Sequence, residues 1–198
     1  PFFVEKKAGK LRLVWDCRAT NQYFRNPPSM DLGNAEALKY LEIQPDQVVY
    51  VSQADVKDCF YQIGLPAWLV HYFSLPRVPT NVLMKAGLAV DVDGNALRHG
   101  EWAFPALSVL PMGWSWAFWI VQRIHENMCD ECGLGPSSRL VSSWPAPSLG
   151  SGAPLAMPYC DNLTILAPSP AVSSAKLKEL LAAFEGRGFS MHEVAVGE

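Results

Sequence analysis

The sequence predicts an α+β fold built on an antiparallel sheet. Strand-like and helix-like runs follow one another irregularly along the 198 residues, without the regular strand–helix–strand order of a parallel sheet. Some neighbouring strand-like runs are joined by short turns, which is typical of antiparallel hairpins. Because 49% of the residues are apolar and 18% are charged, the chain can bury a hydrophobic core and is not a disordered segment.

The predicted strands are apolar runs bounded by turn-forming residues. Gly9 is expected in the turn of the first hairpin, and Asp93-Gly94-Asn95 at the tip of a second one over residues 81–98. The remaining hairpin surrounds residues 160–162. Outside 81–98, the predicted strands are 2–4, 11–15, 48–54, 156–159, 163–167 and 189–196.

The predicted helices follow from capping residues, apolar spacing and terminal glycines. Asp31 is the expected cap of one helix, and Ser173 or Ser174 the expected cap of another, which ends at Gly186. Segment 133–158 is rich in Pro, Gly and Ser and is predicted to be an exposed loop or insertion. The predicted helices and helical turns are 31–41, 57–63, 67–72, 113–131 and 173–185.

Positive charge is concentrated near the N terminus. The chain has 16 Lys+Arg and 19 Asp+Glu, a net charge of −3, which excludes a uniformly basic nucleic-acid binder. Residues 1–25 nevertheless hold six cations and two acids, a net charge of +4, and the remainder carries −7. We therefore expect a basic N-terminal hairpin beside a more acidic body.

The termini and the cysteines favour an intracellular protein, cytoplasmic or nuclear. No signal peptide is recognisable after Pro1, so an excised domain is expected. The charge-free run 103–122 is interrupted by Pro105, Pro111 and Gly113, which argues against a transmembrane segment. The five cysteines are scattered, unlike a disulfide framework.

Two acids occupy similar places in the predicted sheet. Asp55 follows an apolar strand, and Asp161 lies at a hairpin tip beside Tyr159. Two carboxylates on adjacent strands can hold a pair of divalent cations for nucleotidyl transfer. Taken alone, an acid at a strand end is more often an ordinary cap or turn residue.

Four motifs in a fixed order extend this observation over most of the chain. They are Arg12-x-Val14-x-Asp16-x-Arg18-x-x-Asn21, Asp55-x-x-x-x-Phe60, Leu110-Pro-Met-Gly113 and Tyr159-x-Asp161-Asn162. Their series resembles reverse transcriptases, most closely those of retrotransposons and retroviruses. The resemblance implies a right-hand polymerase fold with an antiparallel palm sheet and a fingers hairpin, the thumb being absent.

The resemblance also implies domains and a metal site. Residues 1–50 correspond to part of the fingers, and residues 51–198 to the palm, with insertions at about 74–104 and at 133–157. Asp55, Asp161 and Asn162 stand at the catalytic positions. Asp55, the carbonyl of Val56 and Asp161 are the implied ligands of two Mg²⁺ ions, with Mn²⁺ as an alternative.

Further residues are implied to bind the incoming nucleotide. Cations of the fingertip hairpin match the family's contact with triphosphate, and the bulk of Phe60 would exclude a 2′-hydroxyl. The alternatives are solvated lysines and a core phenylalanine. The implied nucleotide-binding residues are Lys6, Lys7, Arg12, Asp58, Phe60, Met112 and Gly113.

Three positions depart from the family pattern. Asn162 replaces the second carboxylate of the Tyr-x-Asp-Asp motif, and Met112 replaces the usual glutamine. His192 stands near the place where the family often has a lysine that protonates pyrophosphate. It is a candidate general acid, with a solvated strand histidine as the alternative.

The predicted function is template-directed transfer of deoxynucleotides to a primer 3′-hydroxyl by an RNA-directed DNA polymerase of a retroelement. The expected partners are an RNA or DNA template with primer and deoxynucleoside triphosphates, with no membrane. Without a thumb, the 198 residues alone are expected to extend a primer weakly. The alternatives are a catalytically degenerate, RNA-binding relic of a polymerase and an unrelated α+β domain with accidental matches.

Overall fold

The computed structural model describes residues 1–5, 9, 11–142, 144–149 and 152–197. The chain divides into two compact units. The first consists of Pro1–Asn26 and Phe60–Ala117, and the second of Pro27–Cys59 and Phe118–Glu198. The assignment of 1–50 to fingers and 51–198 to palm stays a prediction.

The elements are mixed, and the ladders between the described strands are antiparallel. The strands are β1 (Phe2–Glu5), β2 (Leu11–Val14), β3 (Tyr50–Val56), β4 (Val78–Pro79), β5 (Trp102–Ala103), β6 (Leu155–Ala156), β7 (Asn162–Ala167) and β8 (Met191–Ala195). The α-helices are α1 (Arg18–Asn21), α2 (Ala67–Val70), α3 (Thr80–Lys85), α4 (Ser115–Glu131) and α5 (Pro170–Glu185). Short 3₁₀ turns cover Ala37–Tyr40, Cys59–Gln62, His71–Phe73 and Pro136–Ser138. The predicted antiparallel α+β class is confirmed at this level.

The second unit is built on a four-stranded sheet with the strand order β6-β7-β3-β8. Side chains of β3 alternate in burial, so that Ser52, Ala54 and Val56 face the core, as expected for a strand with one covered face. Helix α5 packs against β3 and β7. The hydroxyl of Ser52 donates a hydrogen bond to Ser173 at 3.0 Å, which satisfies both buried groups.

Two predicted helix starts are wrong. Helix α5 begins at Pro170 and is capped by Ser169, which accepts a hydrogen bond from the Val172 amide at 3.3 Å. Proline favours the first helical position because its missing N–H would have no partner there. Asp31 caps no helix, and its carboxylate accepts a hydrogen bond from the Trp144 indole at 2.7 Å.

The predicted second hairpin is correct only at its tip. Residues 80–85 form α3, whereas a turn at 91–95 is closed by the Asp91 amide donating to the Asn95 carbonyl at 2.8 Å. The Asp91 carboxylate accepts from the Asn95 amide at 2.8 Å. Asp91 therefore stabilises the turn as aspartate commonly does.

Segment 133–158 is not simply an exposed loop. Its apolar residues Leu140, Leu149 and Leu155 pack with Ala37 and Leu166 in a buried cluster. Because burial of apolar surface favours the folded state at about 25 cal/mol per Å², this segment contributes to the core of the second unit.

Among the residues described, no helix combines the length and the hydrophobicity needed to cross a membrane.

Candidate active site

Strand pairing brings the two predicted catalytic acids to neighbouring strands. Asp55, near the end of β3, is paired with Asn162, the first residue of β7, and Asp161 directly precedes it. The amide of Val56 donates a hydrogen bond to the Asp161 carbonyl at 2.9 Å. The backbone thus ties the two acidic segments together at one end of the sheet.

Asp55 is bonded to the third strand at the same place. The imidazole Nε2 of His192 in β8 lies 2.6 Å from Asp55 Oδ1, and the two residues are paired across the sheet. Partial burial and then the nearby Asp161 carboxylate raise the pKa of Asp55, while the hydrogen bond from His192 opposes this rise. The site therefore disfavours the ionised form of Asp55 unless a positive charge lies close to the carboxylate.

Asn162 forms a hydrogen bond with the Asp161 carboxylate, as His192 does with Asp55. The side-chain amide of Asn162 donates to Asp161 Oδ1 at 3.2 Å. A carboxylate at position 162 would instead place two like charges side by side, which is unfavourable without a cation between them.

A buried polar pair on α4 supports the turn that carries Asp161. Gln122 Oε1 accepts a hydrogen bond from the Cys160 amide at 2.8 Å, and Gln122 Nε2 donates to the Pro158 carbonyl at 3.1 Å. His125 Nδ1 lies 3.0 Å from the Cys160 carbonyl. Cys160 has a φ of 53°, which is uncommon for a residue other than glycine, so external hydrogen bonds help to hold this turn.

The sequence-based site did not include Gln122 and His125. Both are buried, and they lie three positions apart on a helix rich in aromatic and aliphatic residues. The available signal was the presence of polar side chains among the apolar residues of this helix, since buried polar groups require partners. We describe both as positioning residues because they contact the turn and not a substrate.

Burial of His125 predicts a pH dependence of stability. Desolvation lowers the pKa of His125 from its usual 6.5 to about 4, so the folded protein keeps the ring neutral where the unfolded chain would bind a proton. Stability is then full above pH 6.5 and falls as the pH is lowered towards about 4, by about 3 kcal/mol for this group. Urea unfolding over this range measures the loss.

Two variants separate this effect from general acid unfolding. His125→Asn is expected to flatten the pH dependence over that range, although it lowers stability throughout. Replacement of His71, an exposed histidine, by asparagine is the matched control and is expected to keep the slope. An unchanged slope in His125→Asn would contradict the assignment.

The other predicted site residues are distributed over both units. Arg12, Phe60, Met112 and Gly113 belong to the first unit, and Asp58 belongs to the second. Lys6 and Lys7 lie outside the described residues. Arg12 is exposed in β2 opposite Val4, while Phe60 and Met112 are partly buried. Their predicted contacts with a nucleotide stay predictions.

Gly113 has a structural role within the first unit. A Cβ atom at this position would lie 2.0 Å from the Trp15 carbonyl oxygen, so only glycine allows the two backbone segments to approach. Asn21 joins the same segments, since its Nδ2 donates to the Gly113 carbonyl at 3.2 Å and its Oδ1 accepts from the Ser115 amide at 3.0 Å. Asn21 therefore caps the start of α4, a role that the motif alone did not reveal.

Gly113→Ala is expected to destabilise the first unit by about 3 kcal/mol or more, because the colliding atoms are backbone and cannot rotate away. Gly64→Ala is the matched control, since a Cβ there meets no atom within 4 Å. Denaturant unfolding of both variants provides the comparison. Equal stability of the two would show that the segments can separate at little cost.

The donor set at the sheet end fits hard divalent cations. Mg²⁺ is commonly bound through one or two carboxylates, completed by water and substrate phosphates. Asp55 and Asp161 supply two carboxylates, and the carbonyl of Val56 is the third predicted protein donor. Within the described part of the chain, no group of three or more His, Cys, Asp or Glu residues is arranged to hold a metal.

Comparison with known proteins indicates the fold. No family profile matches the sequence, and no curated protein is similar to it in sequence. Among solved structures, the protease-reverse transcriptase of prototype foamy virus aligns with 99% of the chain at a TM-score of 0.61 and 12% identity. A foamy viral protease-reverse transcriptase in complex with double-stranded DNA aligns with 98% of the chain at a TM-score of 0.62 and 12% identity.

These likenesses show a reverse-transcriptase-like fold. The chain spans 20% and 26% of the length of the two viral proteins. At 12% identity the agreement concerns the backbone, whereas function depends on the particular side chains of the site.

Proposed function

We propose that the chain contains the catalytic portion of an RNA-directed DNA polymerase, which extends a primer 3′-end with deoxynucleotides on an RNA or DNA template. The observation that carries this proposal is the cross-strand placement of Asp55 and Asp161 in a reverse-transcriptase-like fold. Neither feature alone would be sufficient, because folds host many activities and paired acids are common.

The residues of the sheet end have separate proposed tasks. Asp55 and Asp161 would hold two Mg²⁺ ions, with the carbonyl of Val56 as a further donor. When bound, the ions would lower the pKa of the primer hydroxyl and neutralise charge on the leaving phosphate. Asn162 would orient the Asp161 carboxylate through the amide hydrogen bond at 3.2 Å.

His192 is bonded to Asp55, and its role as a general acid remains a proposal. A histidine with this contact first has to release the carboxylate before it can reach pyrophosphate. His192 is therefore expected to compete with the metal for Asp55 Oδ1 as long as the hydrogen bond at 2.6 Å persists.

A degenerate polymerase domain that binds RNA without catalysis is the second candidate. The hydrogen bonds from His192 and Asn162 favour it, because they satisfy oxygens of both carboxylates without a cation. In this case the sheet end would be a stable polar site in its own right.

Primer extension distinguishes the two candidates. The full-length protein is incubated with an RNA template, a DNA primer, deoxynucleoside triphosphates and either Mg²⁺ or Mn²⁺. Template-dependent extension that requires the ion supports the polymerase. Binding of the RNA without extension under either ion, by protein that is folded by circular dichroism, supports the degenerate domain and contradicts the polymerase.

A further inference from the structure

A cavity of about 370 Å³ in the second unit is separate from the residues proposed for catalysis, none of which lines it. Trp119, Arg123 and Glu126 line it from one face of α4, where residues three and four positions apart are neighbours. The other walls are supplied by the segment 28–31 and by Pro136, Arg139, Val141 and Trp144. Its volume is within the range of small-molecule sites, roughly 300–1,000 Å³.

The charged side chains at the base of this cavity are already paired. Glu126 is buried and accepts hydrogen bonds from Arg123 at 2.5 Å and from Gln122 at 3.1 Å. Arg139 donates to the Glu126 carbonyl and to Asp130, each at 2.6 Å. The buried Glu126 and Arg139 are therefore held in place before a ligand binds.

Two tryptophans, Trp119 and Trp144, are among the other lining residues. Trp144 is 53% exposed, and its indole N–H donates to Asp31 at 2.7 Å, which restricts the orientation of the ring. Trp119 lies under the Arg123 guanidinium, 5.9 Å from the ring centroid. Fixed indole faces favour a flat aromatic ligand, because stacking requires little reorganisation.

The two arginines differ in their access to solvent. The side chain of Arg123 is 51% exposed, against 10% for Arg139. A guanidinium has five N–H donors, and Arg123 donates to Glu126 through one of its nitrogens. Arg123 is thus placed to bind an anionic group at the mouth of the cavity while the ring of the ligand meets the indoles.

We propose that this cavity binds a planar aromatic ring that carries an anionic group, of the chemical class of nucleoside monophosphates. The indoles select the ring, and Arg123 selects the anion. A free nucleotide and a terminal nucleotide of a single strand share this chemistry. The site is independent of the proposed polymerase activity, since it shares no lining residue with the carboxylate site.

Isothermal titration calorimetry of the full chain with adenosine 5′-monophosphate tests the proposal. Saturable binding to one site is expected, with adenosine and ribose 5-phosphate each binding at least about fivefold more weakly because each lacks one of the two groups. A 5′-phosphorylated single-stranded oligonucleotide is the second probe. Tighter binding of the oligonucleotide identifies a strand terminus as the ligand, and tighter binding of the mononucleotide identifies the free nucleotide. In both cases the binding should depend on the same lining residues.

Variants locate the binding site. Trp144→Ala is expected to weaken binding about tenfold, in line with the loss of one stacking partner, and Trp144→Phe to retain most of it. Arg123→Met is expected to abolish the preference for the monophosphate over adenosine. Trp68→Ala, which removes an indole that is 66% exposed in the first unit, is the matched control and should have no effect.

Three results would overturn the proposal. One is the lack of saturable binding by folded wild-type protein at millimolar nucleotide. Another is unchanged binding in both Trp144→Ala and Arg123→Met. The third is loss of binding in Asp55→Asn, because the nucleotide would then occupy the carboxylate site. Retained binding in Asp55→Asn supports a separate site whether or not the chain is a polymerase.

Discussion

Asp55→Asn is expected to reduce metal-dependent primer extension by at least about a hundredfold, while the protein remains as stable as the parent or becomes slightly more stable. Removing a charged ligand from a two-cation site removes much of its electrostatic stabilisation of the transition state, for which single groups commonly contribute 10²–10³. The amide keeps an oxygen that accepts the hydrogen bond from His192. The fold is therefore expected to tolerate the loss of the charge.

The expected sign of the stability change follows from the pKa of Asp55. Burial and the Asp161 carboxylate raise this pKa in the folded protein, so Asp55 contributes stability at low pH that is lost as the pH rises through the folded-state pKa. At neutral pH the ionised carboxylate is consequently less favourable in the folded protein than in the unfolded chain. Asparagine removes this penalty.

Extension assays and thermal unfolding of the same preparation measure both effects. Asp93→Asn, which changes an exposed acid at the tip of a turn, is the control and should leave both quantities near the parent values. Full extension by Asp55→Asn would exclude Asp55 from catalysis. A large fall in its unfolding temperature would show that the charge is structural.

Gln122→Leu is expected to lower the free energy of unfolding by about 3 kcal/mol and to reduce extension together with it. Leucine has nearly the same size but cannot pair with the Cys160 amide or the Pro158 carbonyl, both of which bond Gln122 in the folded protein. Each buried polar group left without a partner costs about 1–3 kcal/mol. The turn that carries Asp161 then loses support on its α4 side.

Three variants of α4 distinguish a positioning role from simple packing. Gln122→Glu keeps an acceptor for the Cys160 amide but loses the donor to Pro158 and places a second acid beside Glu126. Its free energy of unfolding is therefore expected to lie between those of the parent and Gln122→Leu. Asn127→Leu, at an exposed position of the same helix, is the control. Equal unfolding energies for Gln122→Leu and Asn127→Leu in urea would refute the role. Extension per folded molecule should fall in Gln122→Leu if the turn positions Asp161.

Sequence patterns predicted the strands that carry the candidate site because local signals are strong there. Asp55 follows the mostly apolar run 48–54, and Asp161 lies between two short apolar segments at a hairpin tip. Antiparallel hairpins are specified over short distances by turn residues and alternation, and the observed pairing of β6 with β7 around residues 160–162 agrees with them. Helix starts were less certain, as α5 shows, because several serines competed as caps.

In segment 133–158, the amino-acid composition does not predict which residues are buried. Its many Pro, Gly and Ser residues predict an exposed loop, yet Leu140, Leu149 and Leu155 are buried. Apolar residues in an irregular segment have no period that reveals a shared face, so their burial depends on the surface against which the segment folds.

The sequence by itself determined where the strands that carry Asp55 and Asp161 lie along the chain, and the replacement of a carboxylate by Asn162. Only the tertiary structure placed His192 on Asp55, and Gln122 and His125 on the turn before Asp161. The physical reason is distance along the chain: Asp55 and His192 are 137 positions apart. Hydrogen bonds over such separations depend on strand register and helix packing, which arise from the sum of many weak contacts and leave no local mark in the sequence.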